Sequence, residues 1–121
     1  MTEATPLVIE RMRTRPEFLA ASKARYVARG AVVVQARDRA DASPLVRCGF
    51  TATRKVGGAV VRNRAKRRLR EAARALLPTL AYPGYDYVFV ARNGAPTRDW
   101  PRLLDDVKSA LISLAPEGTN P

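Results

Sequence analysis

Histidine is absent from this chain and cysteine occurs once. Without histidine there is no Ser-His-Asp or Cys-His site and no imidazole-ligated metal. A lone cysteine excludes an internal disulfide and a thiolate cage, and it suits a reducing, cytoplasmic setting. No apolar run approaches the ~18 residues needed to cross a membrane, and the N-terminus shows no signal-peptide pattern. Acids are scarce as well: 11 Asp and Glu stand against 22 Lys and Arg, a formal charge of +11. What is present is material for one core, since 46% of the 121 residues are apolar. Lysine supplies only Lys23, Lys55, Lys66 and Lys108; the other cations are arginines, whose planar fork matches phosphate. These absences leave a small, basic, soluble domain whose expected partner is a polyanion.

Thr14-Arg15-Pro16-Glu17 reads as a helix start. Thr14 can cap, Glu17 can close a capping box, and Pro16 is tolerated in the first turn. The helix is expected over 15–25, after a frayed lead-in over 1–13. Ala31 to Arg37 is a β-branched run that reads as a strand. Val46 to Thr53 alternates, with Val46, Cys48, Phe50 and Ala52 on one side. These two strands are expected to pair as antiparallel neighbours, with Cys48 a buried, inert thiol. A short strand near 25–28 is also compatible with the sequence. A helix over 59–77 ended by Pro78, a strand over 85–92 and a last helix capped by Thr97 or Asp99 complete the chain. The last helix carries Trp100, Leu104, Val107, Leu111 and Leu114 as its apolar stripe. Helix, two strands, helix, strand, helix make an α+β domain, a small sandwich over 14–115 followed by a tail over 116–121.

The segment 54–74 holds Arg54, Lys55, Arg62, Arg64, Lys66, Arg67, Arg68, Arg70 and Arg74, and one acid, Glu71. On a helical wheel Val61, Ala65, Leu69, Ala72 and Leu76 fall within about 80° of arc, a stripe for burial. Asn63, Lys66, Arg67, Arg70 and Arg74 lie opposite it, and Arg62, Arg64 and Arg68 flank it. A merely solvated helix mixes its charges for i,i+4 support; here only Glu71 can pair, with Arg67. Such stored repulsion points to an external polyanion. Gly57 and Gly58 ahead of the helix allow a close backbone approach, and its free N-terminal amides attract phosphate.

The run Arg54-Lys55-Val56-Gly57-Gly58-Ala59-Val60-Val61-Arg62-Asn63-Arg64-Ala65-Lys66-Arg67-Arg68-Leu69-Arg70-Glu71-Ala72, with Gly49-Phe50-Thr51 before it, closely resembles the signature of the bacterial ribonuclease P protein subunit. The resemblance extends from about Arg11 to the last helix. It implies a subunit that partners a catalytic RNA and precursor tRNA and assists endonucleolytic removal of the 5′ leader. The RNA carries the chemistry, with Mg²⁺ held mainly by RNA, no metal site on the protein and no protein partner required. The implied fold is a sandwich of the ribosomal protein S5 domain 2 type. It has a left-handed βαβ crossover through the basic helix, against the usual right-handed rule.

By the same resemblance Arg62, Asn63, Arg64, Lys66, Arg67, Arg68 and Arg70 face the catalytic RNA. Arg54 and Lys55 stand at the leader side. Phe18, Ser22, Val33 and Gln35 belong to a cleft for the single-stranded leader, with Arg92 as a further basic position. Where the family often has aromatics, this chain has Ser22 and Gln35. With Phe18 the one aromatic of the set, worth ~1–3 kcal/mol of base stacking, the cleft is expected to rely more on polar contacts.

Three other functions fit a basic α/β domain. A ribosomal RNA-binding protein shares the composition. A DNA-binding regulator needs a partner helix before Ala59, where the sequence reads as strand. A metal-dependent nuclease would need more than Asp105 and Asp106, which point about 100° apart on a helix.

Overall fold

The computed structural model describes residues 7–116. The expectations for 1–6 and for 117–121 lie outside them. In chain order the elements are β1 (Ile9–Arg11), α1 (Arg15–Ser22), β2 (Arg25–Arg29), β3 (Val32–Asp38), β4 (Val46–Ala52), a single 3-10 turn (Arg54–Val56), α2 (Ala59–Leu80), β5 (Tyr85–Ala91) and α3 (Trp100–Ser113). The five strands form one sheet in the order β1-β4-β5-β3-β2.

This order corrects the expected pairing of the 31–37 and 46–53 strands. β5 lies between them, antiparallel to β3 and parallel to β4. The reason is burial on both faces: Tyr87, Val88 and Phe89 are all buried, so β5 belongs in the centre. The unit β4-α2-β5 is therefore a crossover between adjacent parallel strands. A second correction concerns the lead-in. Ile9–Arg11 pairs in parallel with β4, Met12 donates its N–H to the Cys48 carbonyl at 2.8 Å, and the Met12 side chain is buried. The short strand near 25–28 is present as β2, antiparallel to β3, and it ends α1 earlier than residue 25.

Alternation along the strands separates two faces. Val32, Val34, Ala36, Val46, Cys48, Tyr87, Phe89 and Ala91 pack against Ala65, Leu69, Ala72, Ala73 and Leu77 of α2 and Leu103, Val107, Ala110 and Leu111 of α3. Among the described residues the other face is covered by α1, through Ala21 and Phe18 with Met12, Val88 and Val90. Cys48 is buried in the larger core, and burial pushes its thiol pKa up, as an inert role requires.

Helix boundaries follow local chemistry with two departures. Glu17 closes the start of α1, accepting the N–H groups of Arg13 and Thr14, each at 2.8 Å. Pro78 does not end α2, which runs to Leu80. A proline so near the C-terminus forfeits one backbone bond, while Ala81 N–H still reaches the Leu77 carbonyl at 2.9 Å. In α3 Asp99 holds the N-cap position and the buried stripe runs through Leu103, whereas Trp100 remains exposed.

Candidate nucleic-acid interface

Helix α2 lies on the sheet through Ala65, Leu69, Ala72, Ala73 and Leu77. Val61, expected in that stripe, is exposed, and the first buried residue of α2 is Ala65. Gly57 makes the entry to the helix. Its φ is 148°, and a Cβ there would come within 2.8 Å of Val61. The need for glycine is thus steric and local.

The opposite side of α2 is a shallow groove of about 590 Å³ lined by Val60, Asn63, Arg64, Lys66, Arg67 and Arg70. Asn63, Arg64 and Arg67 are exposed and Lys66 is half-buried. Among the described residues Arg64, Lys66 and Arg67 have no carboxylate within ion-pair distance. Glu71 pairs with Arg74 at 3.5 Å, not with Arg67 as expected, and both partners are exposed. Their pairing is therefore weak.

The remaining cations of the set are held in part by the protein. Arg62, half-buried in the first turn of α2 and outside the groove lining, donates to the Gly57 carbonyl at 3.3 Å. Arg70 lies over the Phe50 ring, 5.8 Å from its centroid, and still lines the groove. Arg68 is the cation of the set that the protein itself holds most closely. Its guanidinium donates to the Ala95 carbonyl at 2.6 Å and to the Arg98 carbonyl, tying α2 to the β5–α3 loop. Two of its five N–H donors are thus committed, which makes Arg68 a brace between α2 and that loop.

On the α1 side, register lines up three rows across β4, β5 and β3: Arg47-Asp86-Arg37, Gly49-Val88-Gln35 and Thr51-Val90-Val33. The middle row admits the helix. A Cβ on Gly49 would stand 2.5 Å from the Phe18 ring, so only glycine lets Phe18 rest on the sheet. A cleft of about 260 Å³ results, lined by Arg15, Phe18, Leu19, Ser22, Gln35, Thr51, Val88 and Val90. It brings together Phe18, Ser22 and Gln35 as expected. Val33 sits beside Val90 but outside this lining. Sequence reasoning missed Arg15 and Leu19, which share α1 with Phe18, and Thr51, Val88 and Val90, which only strand order brings to that helix. Ser22 spends its hydroxyl proton on the Leu19 carbonyl at 2.7 Å, leaving its oxygen to accept.

Arg54 and Lys55 are exposed in the turn that follows β4, three and four residues beyond Thr51 of the cleft. Arg92 is exposed after β5, turned to the Gly30 carbonyl at 3.4 Å and absent from the cleft lining.

The first row closes the cleft's other end. Asp86 is fully buried and accepts from Arg39 at 2.8 Å and from Arg47 at 2.8 and 2.7 Å, with Arg37 at 3.6 Å. Arg47 also reaches Glu17 of α1. Backbone N–H groups of Arg13 and Thr14 lower the Glu17 pKa, and bonding to Asp86 raises that of Arg47. Asp106 is engaged too: it accepts the Ala31 N–H at 3.0 Å and pairs with Arg98 at 2.6 Å. It serves the fold at the β2–β3 turn.

A one-sided basic helix on one face of a mixed sheet, with a cleft on the other, has counterparts. The family model described as Ribonuclease P matches residues 9–115. The chain belongs to this ribonuclease P protein family. A ribonuclease P protein component from Caulobacter vibrioides is 66% identical over 109 residues, covering 90% of this chain and 73% of the relative. One from Ruegeria pomeroyi is 50% identical over 105 residues, covering 85% and 84%. The solved ribonuclease P protein from Thermotoga maritima superposes with a TM-score of 0.74 at 25% identity, over 88% of this chain and 98% of that one. Family membership carries the function with it: the chain is the protein component of an RNA-based endoribonuclease that matures tRNA 5′ ends. That separates it from the ribosomal, DNA-binding and free-nuclease alternatives. No helix among the described residues is long and apolar enough to cross a membrane.

Proposed function

We propose that the outer face of α2 binds the catalytic RNA of ribonuclease P, while the α1 cleft receives the single-stranded leader of precursor tRNA. The observation that carries this reading is the row Arg64, Lys66 and Arg67, solvent-facing and unmatched by carboxylates among the described residues, on a helix anchored by its other side. Asn63 stands among them as a neutral hydrogen-bonding group, and Arg62 and Arg70 extend the row at its two ends. Cations so placed exchange counterions for RNA phosphates, which gives affinity and orientation without reading sequence.

In the cleft Phe18 offers an aromatic ring for a base to stack on, and Gln35, Thr51 and Ser22 offer polar contacts. Arg54 and Lys55 supply charge along the same end of the sheet. The division of labour leaves bond cleavage to the RNA. The protein screens backbone repulsion so that leader, RNA and RNA-held Mg²⁺ come together, in the cytoplasm and without a further protein.

Reconstitution tests this directly. The purified chain, the cognate catalytic RNA and precursor tRNA are combined at low Mg²⁺ and scored for leader removal. Cleavage by the pair, exceeding that of either component alone, is expected. An RNA equally active without the protein at low Mg²⁺ would contradict the reading.

A further inference from the structure

The basic surface of α2 continues onto α3 through one aromatic side chain. Trp100, the chain's single tryptophan, opens α3 and is 38% exposed. A shallow cleft of about 430 Å³ between it and α2 is lined by Arg67, Arg68, Glu71 and Trp100. Arg67 lines both this cleft and the groove over the outer face of α2, so the two are contiguous. The ring is also supported. The Arg68 guanidinium sits 5.9 Å from its centroid and is itself fixed by the Ala95 and Arg98 carbonyls. Asp99 at the N-cap and Pro101 in the first turn set the backbone beneath it.

We propose that Trp100 is a stacking platform for an unpaired nucleobase of the RNA held by α2; the inference rests on α2 being the RNA face. The chemistry of the cleft selects a base over a phosphate. Arg68 has turned two of its N–H donors to backbone carbonyls, and the Glu71 carboxylate at the rim repels a phosphate. A flat apolar ring suits the π-face of a base and is indifferent to its sequence. Charge argues against a second copy of this chain, since each carries a net +11. A rigid aromatic at the start of a helix also loses little conformational freedom on binding.

Because the chain has one tryptophan, its emission reports on this site alone. Titrating the full chain with the catalytic RNA should quench Trp100 emission in step with binding. Trp100→Leu, which keeps an apolar side chain, should lower RNA affinity by about 5- to 150-fold with an unchanged salt slope, and Trp100→Phe should lose less. Binding with unaltered tryptophan emission overturns the platform. So does a folded Trp100→Leu variant with wild-type affinity. Should the leucine variant fold poorly, the wild-type quench decides alone. Failure of the underlying reading looks different: an Arg62→Ala, Asn63→Ala, Arg64→Ala variant would then bind the RNA as tightly as wild type.

Discussion

Arginines on the two sides of the sheet are placed in opposite ways. Arg39 and Arg47 converge on the buried carboxylate of Asp86, and Arg47 also reaches Glu17. On α2, Arg64 and Arg67 meet no carboxylate among the described residues and face solvent. One set closes the end of the α1 cleft from within, and the other is open to an outside partner. A net charge of +11 is therefore not a measure of binding capacity. What matters is which cations the protein has already satisfied. Arg68 makes the point within a single helix, being one residue from Arg67 and bound to two backbone carbonyls.

Breaking the internal set should cost the most stability. Asp86→Ala strands two closely bonded guanidiniums in a buried or half-buried site, and removing one partner of such a network costs ~3–5 kcal/mol. A urea titration should show it as a large drop in midpoint; a midpoint near wild type would mean that the network is not structural. Breaking the external set should do the reverse. Replacing Arg62, Asn63 and Arg64 with Ala should leave the urea midpoint nearly unchanged. It should weaken binding to the catalytic RNA on the order of 100-fold, at ~1.5 kcal/mol for each of two charged contacts. Filter binding together with denaturation separates the two outcomes.

Phe18→Leu sharpens the comparison at the cleft. It should weaken precursor tRNA binding by the holoenzyme by roughly 5- to 10-fold, the lower part of the stacking range, while mature tRNA binding is preserved. Equal losses for both would assign Phe18 to packing alone. The smallest effect belongs to Glu17. Its folded pKa is lowered, so its contribution to stability is present above its unfolded pKa of about 4.5 and is lost as pH falls through the folded value. Glu17→Gln should flatten the acid limb of the stability profile and leave neutral-pH RNA affinity unchanged.

Much of this arrangement was legible from local pattern. The outer face of α2 follows from 3.6-residue periodicity joined to one-sided charge, and Ala65, Leu69 and Ala72 are buried as the wheel requires. Strand order was not legible. Sequential strands often pair, yet β5 separates β3 from β4. The available signal was that its residues are apolar on both faces. β1, at three residues, is too short to show alternation. The Asp86 network was hidden for another reason: Arg47 and Arg39 lie 39 and 47 residues from it, so their pairing exists only once β4 and β3 flank β5. The cleft shared that limit. Phe18 and Ser22 are visible as one helix face, but Thr51, Val88 and Val90 join them through the sheet.

The central claim is that the unpaired cations of α2 are neutralised by RNA phosphates. The most direct measurement is the affinity of the wild-type chain for the catalytic RNA across salt concentration. With about five cations engaged, log affinity against log salt should fall with a slope near −4.5, roughly a 500-fold loss between 50 and 200 mM. The Arg62, Asn63, Arg64 triple-alanine variant should be shallower by about two. A nearly flat dependence, or a slope the variant leaves untouched, would contradict the account.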